Sequence, residues 1–236
     1  MRYMRIFLLF VSIALPLLLN SAEPEALARK AARAFESEEW ASAQALYGLV
    51  TDDSPTDVDA HARLITAALM RGDSTSVPGA VERALAAGVP LRALFENLRA
   101  DLRSASGYGL YADALERIAK DKPYLRRPIS DCLLDYYLER RDGTKIERCA
   151  LYLLAGLPDS PKYLESLGWG LLYQGKTDEA ESAWRKALKS DACNTGVIIA
   201  LATLLGDTPE AVELLHRADS ICPSPAIKSR LSKHSK

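Results

Sequence analysis

The chain reads as an all-α protein: an α-solenoid of five to six stacked helix hairpins forming a right-handed superhelix. Three observations predict it. Leucine and alanine abound while β-branched residues are few, a balance that favours helix over strand. Apolar side chains recur at three- and four-residue spacing, so each run carries one oily face. These runs come in pairs split by a turn, and the pairs return at about 31 to 37 residues, an interval typical of repeat architectures. A pair of about 33 residues cannot bury its apolar face alone, whereas stacked pairs share one continuous core. A single stack, not separate domains, is therefore expected.

Residues 1–22 have the pattern of a secretory signal peptide. Arg2 and Arg5 give a basic start, Ile6 to Leu19 an apolar run broken only by polar Ser12, and Asn20-Ser21-Ala22 a short exit before Glu23-Pro24. The run falls short of the ~20 residues that span a bilayer. An uncleaved N-terminal anchor is the alternative. The address is the bacterial periplasm or cell envelope, with secretion into the medium as the other destination.

The stack itself covers 23–223. Its first unit, 24–57, places Ala26, Leu27, Ala31, Ala34 and Phe35 on one helix and Trp40 to Val50 on a second, with Pro55 closing it. In 58–90, Ala62, Ile65 and Leu69 share a face, Gly72-Asp73 turn the chain, and an insertion at Val77-Pro78-Gly79 displaces the second helix toward Ala80–Ala87. Unit 91–127 has Leu94, Leu98, Leu102 and Ala105, a turn at Gly107-Tyr108-Gly109, then Tyr111, Ala114, Leu115 and Ile118. Pro123 and Pro128 bracket a linker where a bend is expected. Unit 128–160 carries Leu133, Leu134, Tyr136, Tyr137 and Leu138, then Asp142-Gly143, then Ile146 to Ala155. Unit 193–223 has Leu201, Leu204 and Leu205, a turn at Gly206-Asp207, and Ala211, Leu215 and Ala218. Residues 224–236 form a short basic tail, expected to fray or to be disordered.

Unit 161–192 is the sharpest. Leu164, Leu167, Gly168 and Leu171 share one helical face; Gly175 breaks the pattern, Thr177 and Asp178 can cap a new start, and Ala180, Ala183, Trp184, Ala187 and Leu188 make the second face. Gly168 and Ala180 allow two backbones to approach closely. This stretch resembles the tetratricopeptide repeat (TPR), whose pattern is W-x2-L-G-x2-Y, then A-x3-F, then P. Leu167-Gly168 supplies the L-G pair and Ala180-x3-Trp184 the A-x3-aromatic pair, while Leu164, Leu171 and Ala192 occupy the Trp, Tyr and Pro places. The resemblance implies a binding protein whose first helices line a concave surface that holds a peptide or a partner's helix. Carried onto this chain, it points Phe35, Tyr137, Arg140, Arg141, Glu165, Trp169, Leu172 and Tyr173 into that groove. Trp169 and Tyr173, four apart, are neighbours on one face, and aromatic rings with arginine are enriched in interface cores. Packing of Trp169 against the next unit is the bland alternative. The lysines and asparagines that grip a C-terminal carboxylate in chaperone-binding members are replaced by Ala28, Ala62, Leu133 and Glu165.

The same hairpin geometry sets Cys193 at the start of one helix and Cys222 at the end of its antiparallel partner. A bridge there would close a loop of about 30 residues and could add ~3–4 kcal/mol if unstrained. Cys132 and Cys149 read as small buried residues, and free thiols remain the alternative for the other two.

Little in the sequence calls for catalysis, a metal or a cofactor. His61, His216 and His234 are scattered, and HExxH, CxxC, GxSxG and Gly-rich phosphate motifs are missing. The acid pairs Glu38-Glu39, Asp52-Asp53 and Asp178-Glu179 sit at turns and helix starts, as caps and solvated faces do. Without Arg2 and Arg5, 28 Lys and Arg face 31 acids, a balance that gives no reason to expect nucleic acid. The expected function is a non-enzymatic scaffold for a protein or peptide. A self-associating structural component is the alternative, because only a short tail covers the last unit; a carbohydrate-binding accessory is weaker.

Overall fold

The computed structural model describes residues 23–102 and 107–234, with side chains over 23–98 and 109–233. The expected leader at 1–22 and Ala105 lie outside the described residues. Among the described residues the structure is helical and has no strand, and no helix among them is long and apolar enough to cross a membrane. The chain divides into two compact units, Met1–Pro128 and Ile129–Lys236. A single undivided stack was the expectation; the boundary falls inside the helix that begins at Arg126, and of the expected linker Tyr124 and Leu125 lie in a 3-10 turn while Arg126 and Arg127 are already helical.

In the first unit α1 covers 23–36, α2 Trp40–Asp53, α3 Val58–Met70, α4 Val77–Ala86, α5 Leu91–Leu102 and α6 Gly107–Asp121. Asp57 caps α3 by accepting from Ala60 N–H at 3.0 Å. Two local expectations are revised. Val77-Pro78-Gly79 is not an insertion but the first turn of α4, where a proline costs no helical hydrogen bond. Gly107, Tyr108 and Gly109, expected to turn the chain, are already inside α6. Ile65, Leu94, Leu115 and Tyr111 are fully buried between these helices.

After a 3-10 turn at Pro123–Leu125 comes α7 Arg126–Arg140, in the second unit from Ile129 on, and that unit also holds α8 Gly143–Leu154, α9 Pro161–Tyr173, α10 Thr177–Ser190, α11 Thr195–Leu205, α12 Pro209–Ile221 and α13 Pro225–His234. Asp142, Asn194 and Thr208 cap α8, α11 and α12 through bonds of 3.1, 3.0 and 3.2 Å to the third residue on. Thr177 and Asp178 do not cap α10: its N-cap is Lys176, and both lie in the first turn, where Asp178 and Glu179 meet the positive end of the helix dipole. Gly175 makes the turn with φ +77°.

The repeat signature has a direct packing meaning. Trp184 is fully buried, its indole N–H donates to the Glu165 carbonyl at 3.1 Å, and its ring lies where a side chain on Gly168 would have to go. Burying such a ring stabilises the unit by at most about 5 kcal/mol, taking ~200 Å² at ~25 cal/mol per Å². A side chain on Gly170 would come within 2.7 Å of Ile146, so α8 and α9 also touch through glycine.

Successive pairs are tied by polar links roughly one repeat apart. Lys176 holds Glu147 at 2.9 Å, and Arg185 grips Glu210 with two bonds of 2.6 and 3.0 Å. Gln44 donates to Asp73 at 3.1 Å, and Thr75, in the same turn as Asp73, adds a local bond of 2.8 Å. Donation from Lys176 and Gln174 holds the Glu147 carboxyl below the ordinary carboxylate range. Arg185 does the same for Glu210, and Gln44, Thr75 and Ser76 for Asp73.

The C-terminal segment is not a frayed tail. Pro225 opens α13, Ile227 is 3% exposed, and both Ile227 and Leu231 pack on the cluster of Leu201, Leu214, Leu215 and Ala218. Two apolar residues four apart suffice to lay one helical turn on the last pair.

Candidate functional site

The first helices of the second unit's pairs, α7, α9 and α11, border two adjoining depressions on either side of α9. One, of about 380 Å³, lies between α7 and α9, with Leu138, Trp169 and Tyr173 as its apolar walls and Asp135, Lys162 and Glu165 as its charged groups. The other, of about 430 Å³, lies between α9, α11 and α13; Leu172, Ile199, Ala200 and Leu204 line it and Arg230 stands at its rim. Trp169 belongs to both. It is half-buried: its ring meets Trp184 edge-on at 5.0 Å and stacks on Tyr173 at 6.0 Å, and its remaining surface faces the depressions. Trp169 thus packs on Trp184 and Tyr173 of its own unit with part of its ring and lines both depressions with the rest.

Four more of the expected groove residues gather here. Tyr173 is 37% exposed, with the Arg141 guanidinium 5.9 Å from its ring centre. Leu172 lines the second depression and Glu165 the first, the Glu165 carboxylate accepting from Asn194 at 2.9 Å. Arg141 has φ +55°, a left-handed conformation that ends α7 and turns its side chain toward α9.

The other three do not join them. Tyr137 is 1% exposed, packed beside Tyr136 with the Lys145 ammonium 4.9 Å from its ring, so it belongs to the core. Arg140 lies over Tyr136, at 5.7 Å. Phe35 belongs to the first unit, where its ring meets Trp40 and Tyr47 edge-on and Arg63 covers it at 5.5 Å. Reading the chain alone missed Asp135, Ile199, Thr203 and Arg230. The first three sit on first helices like the residues that were named, so helical position could have found them; Arg230 required α13.

Cys193 and Cys222 are exposed free thiols, not a bridge; Cys132 and Cys149 are buried. Register is the reason. The α12 residue that reaches the loop ahead of α11 is Arg217, donating to the Ala192 carbonyl, and Cys222 lies five residues, ~7.5 Å of helix, further along. Among the described residues no three His, Cys, Asp or Glu are grouped as metal ligands would be.

No protein-family model matches the sequence, and no curated protein matches it. Solved structures do. The Cut9 and Hcn1 hetero-tetramer of the APC/C aligns over 92% of this chain and 47% of its own, at 14% identity and TM-score 0.51. A double mutant of MamA from RS-1 aligns over 75% of this chain and 98% of its own, also at 14% identity, with TM-score 0.50. The C-terminal part of a TPR repeat-containing protein from Cytophaga hutchinsonii aligns over 82% of this chain and 78% of its own, at 14% identity and TM-score 0.47. The chain has the tetratricopeptide-repeat fold. Within that fold the Gly168–Trp184 contact is the small-residue and aromatic pair of the repeat, and the two depressions lie along the first helices.

Proposed function

We propose that the protein is a non-enzymatic scaffold that holds a protein or peptide along the first helices of its second unit, astride Trp169. One observation carries this reading: a half-buried tryptophan is shared by two adjoining depressions with an apolar wall and charged rims. That is the composition of an interface core. The fold supports an interaction role in general, and the basic, apolar and small-residue order of 1–22 supports an exported protein of the bacterial envelope.

Self-association loses the argument that favoured it, because α13 covers the last helix pair. Sugar binding has less behind it, because Trp169 and Tyr173 are stacked on each other, which takes one face of each ring.

A photo-crosslinking residue placed at Leu172 or Tyr173 in living cells tests the groove, with Leu151 on α8, 50% exposed, as the control. Adducts from the first two positions and none from Leu151 are expected. Equal adducts from all three, or none from the groove, would overturn the reading. Mass analysis of the purified N-terminus tests export: the first residue is expected near Glu23.

A further inference from the structure

The second depression runs along α11. Gly196, Ile199, Ala200, Thr203 and Leu204, all in its lining, fall at three- and four-residue spacing and make one stripe down that helix, with Trp169 and Leu172 of α9 as the facing wall. The two ends of the stripe carry opposite charges. At the Gly196 end, a side chain on the glycine would meet Asn194 Oδ1 and Glu165 Oε1, each at 3.3 Å, so two acceptor oxygens border a corner that glycine leaves open. Glu165 spends its other oxygen on the Asn194 amide, at 2.9 Å, and among the described residues no cation pairs with it. At the Thr203 end the Arg230 guanidinium reaches in from α13 and donates to the Thr203 hydroxyl at 2.6 Å; among the described residues it has no acid partner. From Gly196 to Thr203 is about two turns of helix, or ~10.5 Å. The depression is thus an apolar trough with a carboxylate at one end and a guanidinium at the other.

From this we infer that the trough holds an extended peptide segment lying along α11, with a lysine or arginine at the Gly196 end, an apolar side chain against Trp169 and Ile199, and an aspartate or glutamate at the Arg230 end. Neither charge is neutralised by its own chain, so a segment with the opposite pair gains two charge-assisted bonds beside an apolar wall, where salt screens them less. A helix is too bulky. Two turns of a ~10 Å cylinder occupy about 800 Å³, against about 430 Å³ for the depression. In polyproline-II backbone, residues three apart share one side and lie ~9.3 Å apart, which matches the separation of the two ends. The trough fixes where each charge sits but not the direction of the chain, so cation and acid can come in either order along the peptide. The inference rests on the groove reading and adds the composition and spacing of the occupant.

The test pans a display library of random 12-residue peptides against the full chain, then measures the captured peptides on variants by fluorescence anisotropy. A cation and an acid three residues apart, with an apolar residue between them, are expected to be enriched. Binding should weaken about tenfold in Glu165→Gln, which keeps an oxygen for Asn194, and in Arg230→Gln, which keeps a donor for Thr203. Gly196→Ala, whose methyl group fills the open corner, should weaken binding as much while the thermal midpoint holds or rises, because alanine favours helix over glycine. A peptide whose cation is replaced by glutamine should bind wild type and Glu165→Gln alike, an indifference that a merely structural Glu165 would not produce. Peptides that need Trp169, lost in Trp169→Ala, but ignore Glu165→Gln or Arg230→Gln, or whose two charges stand seven residues apart as on a helix, would overturn this inference and leave the groove reading standing. No peptide dependent on Trp169 would overturn both.

Discussion

Each unit of the molecule carries an aromatic cluster with arginine, and the two clusters have different fates. In the first, Phe35, Trp40 and Tyr47 meet edge-on, and Arg63 lies over both Phe35 and Tyr47 while donating to the Tyr47 hydroxyl at 2.9 Å. Its guanidinium also pairs with Asp59 at 3.2 Å. In that cluster Tyr47 is buried, and Phe35 and Trp40 are half-buried, packed on one another, with Arg63 over the Phe35 ring. In the second, Trp169 leans on Trp184 and Tyr173 yet keeps surface on two depressions. Aromatic residues with arginine therefore do not by themselves mark an interface. What matters is whether the chain fills the space beside the ring.

The contrast between closed and open rings can be broken at its strongest point first. Trp184→Ala empties a fully buried site and is expected to cost about 3–5 kcal/mol, lowering the thermal midpoint of the second unit. Tyr137→Ala belongs with it, at a similar cost, because Tyr137 lies in the core. Trp169→Ala should cost only about 1–2 kcal/mol and act on partner binding instead. Circular-dichroism melts of the three variants check this ordering; a Tyr137→Ala protein as stable as wild type would put Tyr137 back among the exposed residues.

Next in size is Gly168→Ala, expected to cost about 1–3 kcal/mol because the new methyl group collides with the Trp184 ring, measured by urea unfolding. Arg63→Met should cost less, about 1 kcal/mol, through its lost bond to Tyr47 and its lost ring contact, and should leave partner binding unchanged.

The smallest expected effect is on pH dependence. Asp73, Glu147 and Glu210 all have lowered carboxyl pKa values, so the folded chain binds fewer protons than the unfolded one as the pH falls. Their stabilisation is complete above the unfolded carboxylate range, near pH ~4.3, and is lost below it. Midpoints should be flat from about pH 7 to 5 and fall below about 4, less steeply in the Asp73→Asn, Glu147→Gln, Glu210→Gln triple variant.

The helix pairs were legible because their apolar spacing is strict and glycine turns interrupt it. Gly168 and Trp184 were legible as a pair because a small residue opposite a large one leaves little choice of packing. Tyr137 was misplaced for a physical reason. Leu133, Leu134, Tyr136, Tyr137 and Leu138 are nearly contiguous, so α7 has no single oily face, and only its neighbours decide which ring is covered. Phe35, half-buried, lies instead in the ring cluster of the first unit, with Arg63 on α3 over its ring. The closing helix α13 was hidden by its lysines, since its two packing residues, Ile227 and Leu231, are spread among charged ones. Cysteine pairing depends on register along α12, which hairpin topology leaves open by a turn or more.

The most direct measurement is fluorine NMR of the full chain labelled with 5-fluorotryptophan, with resonances assigned through the Trp40→Phe, Trp169→Phe and Trp184→Phe variants. On addition of a peptide that the full chain captures from a display library of random 12-residue peptides, the Trp169 resonance should shift strongly and saturably while those of Trp40 and Trp184 stay nearly fixed. A shift confined to Trp40, or a Trp169 resonance that never responds, would contradict the open groove on which the account rests.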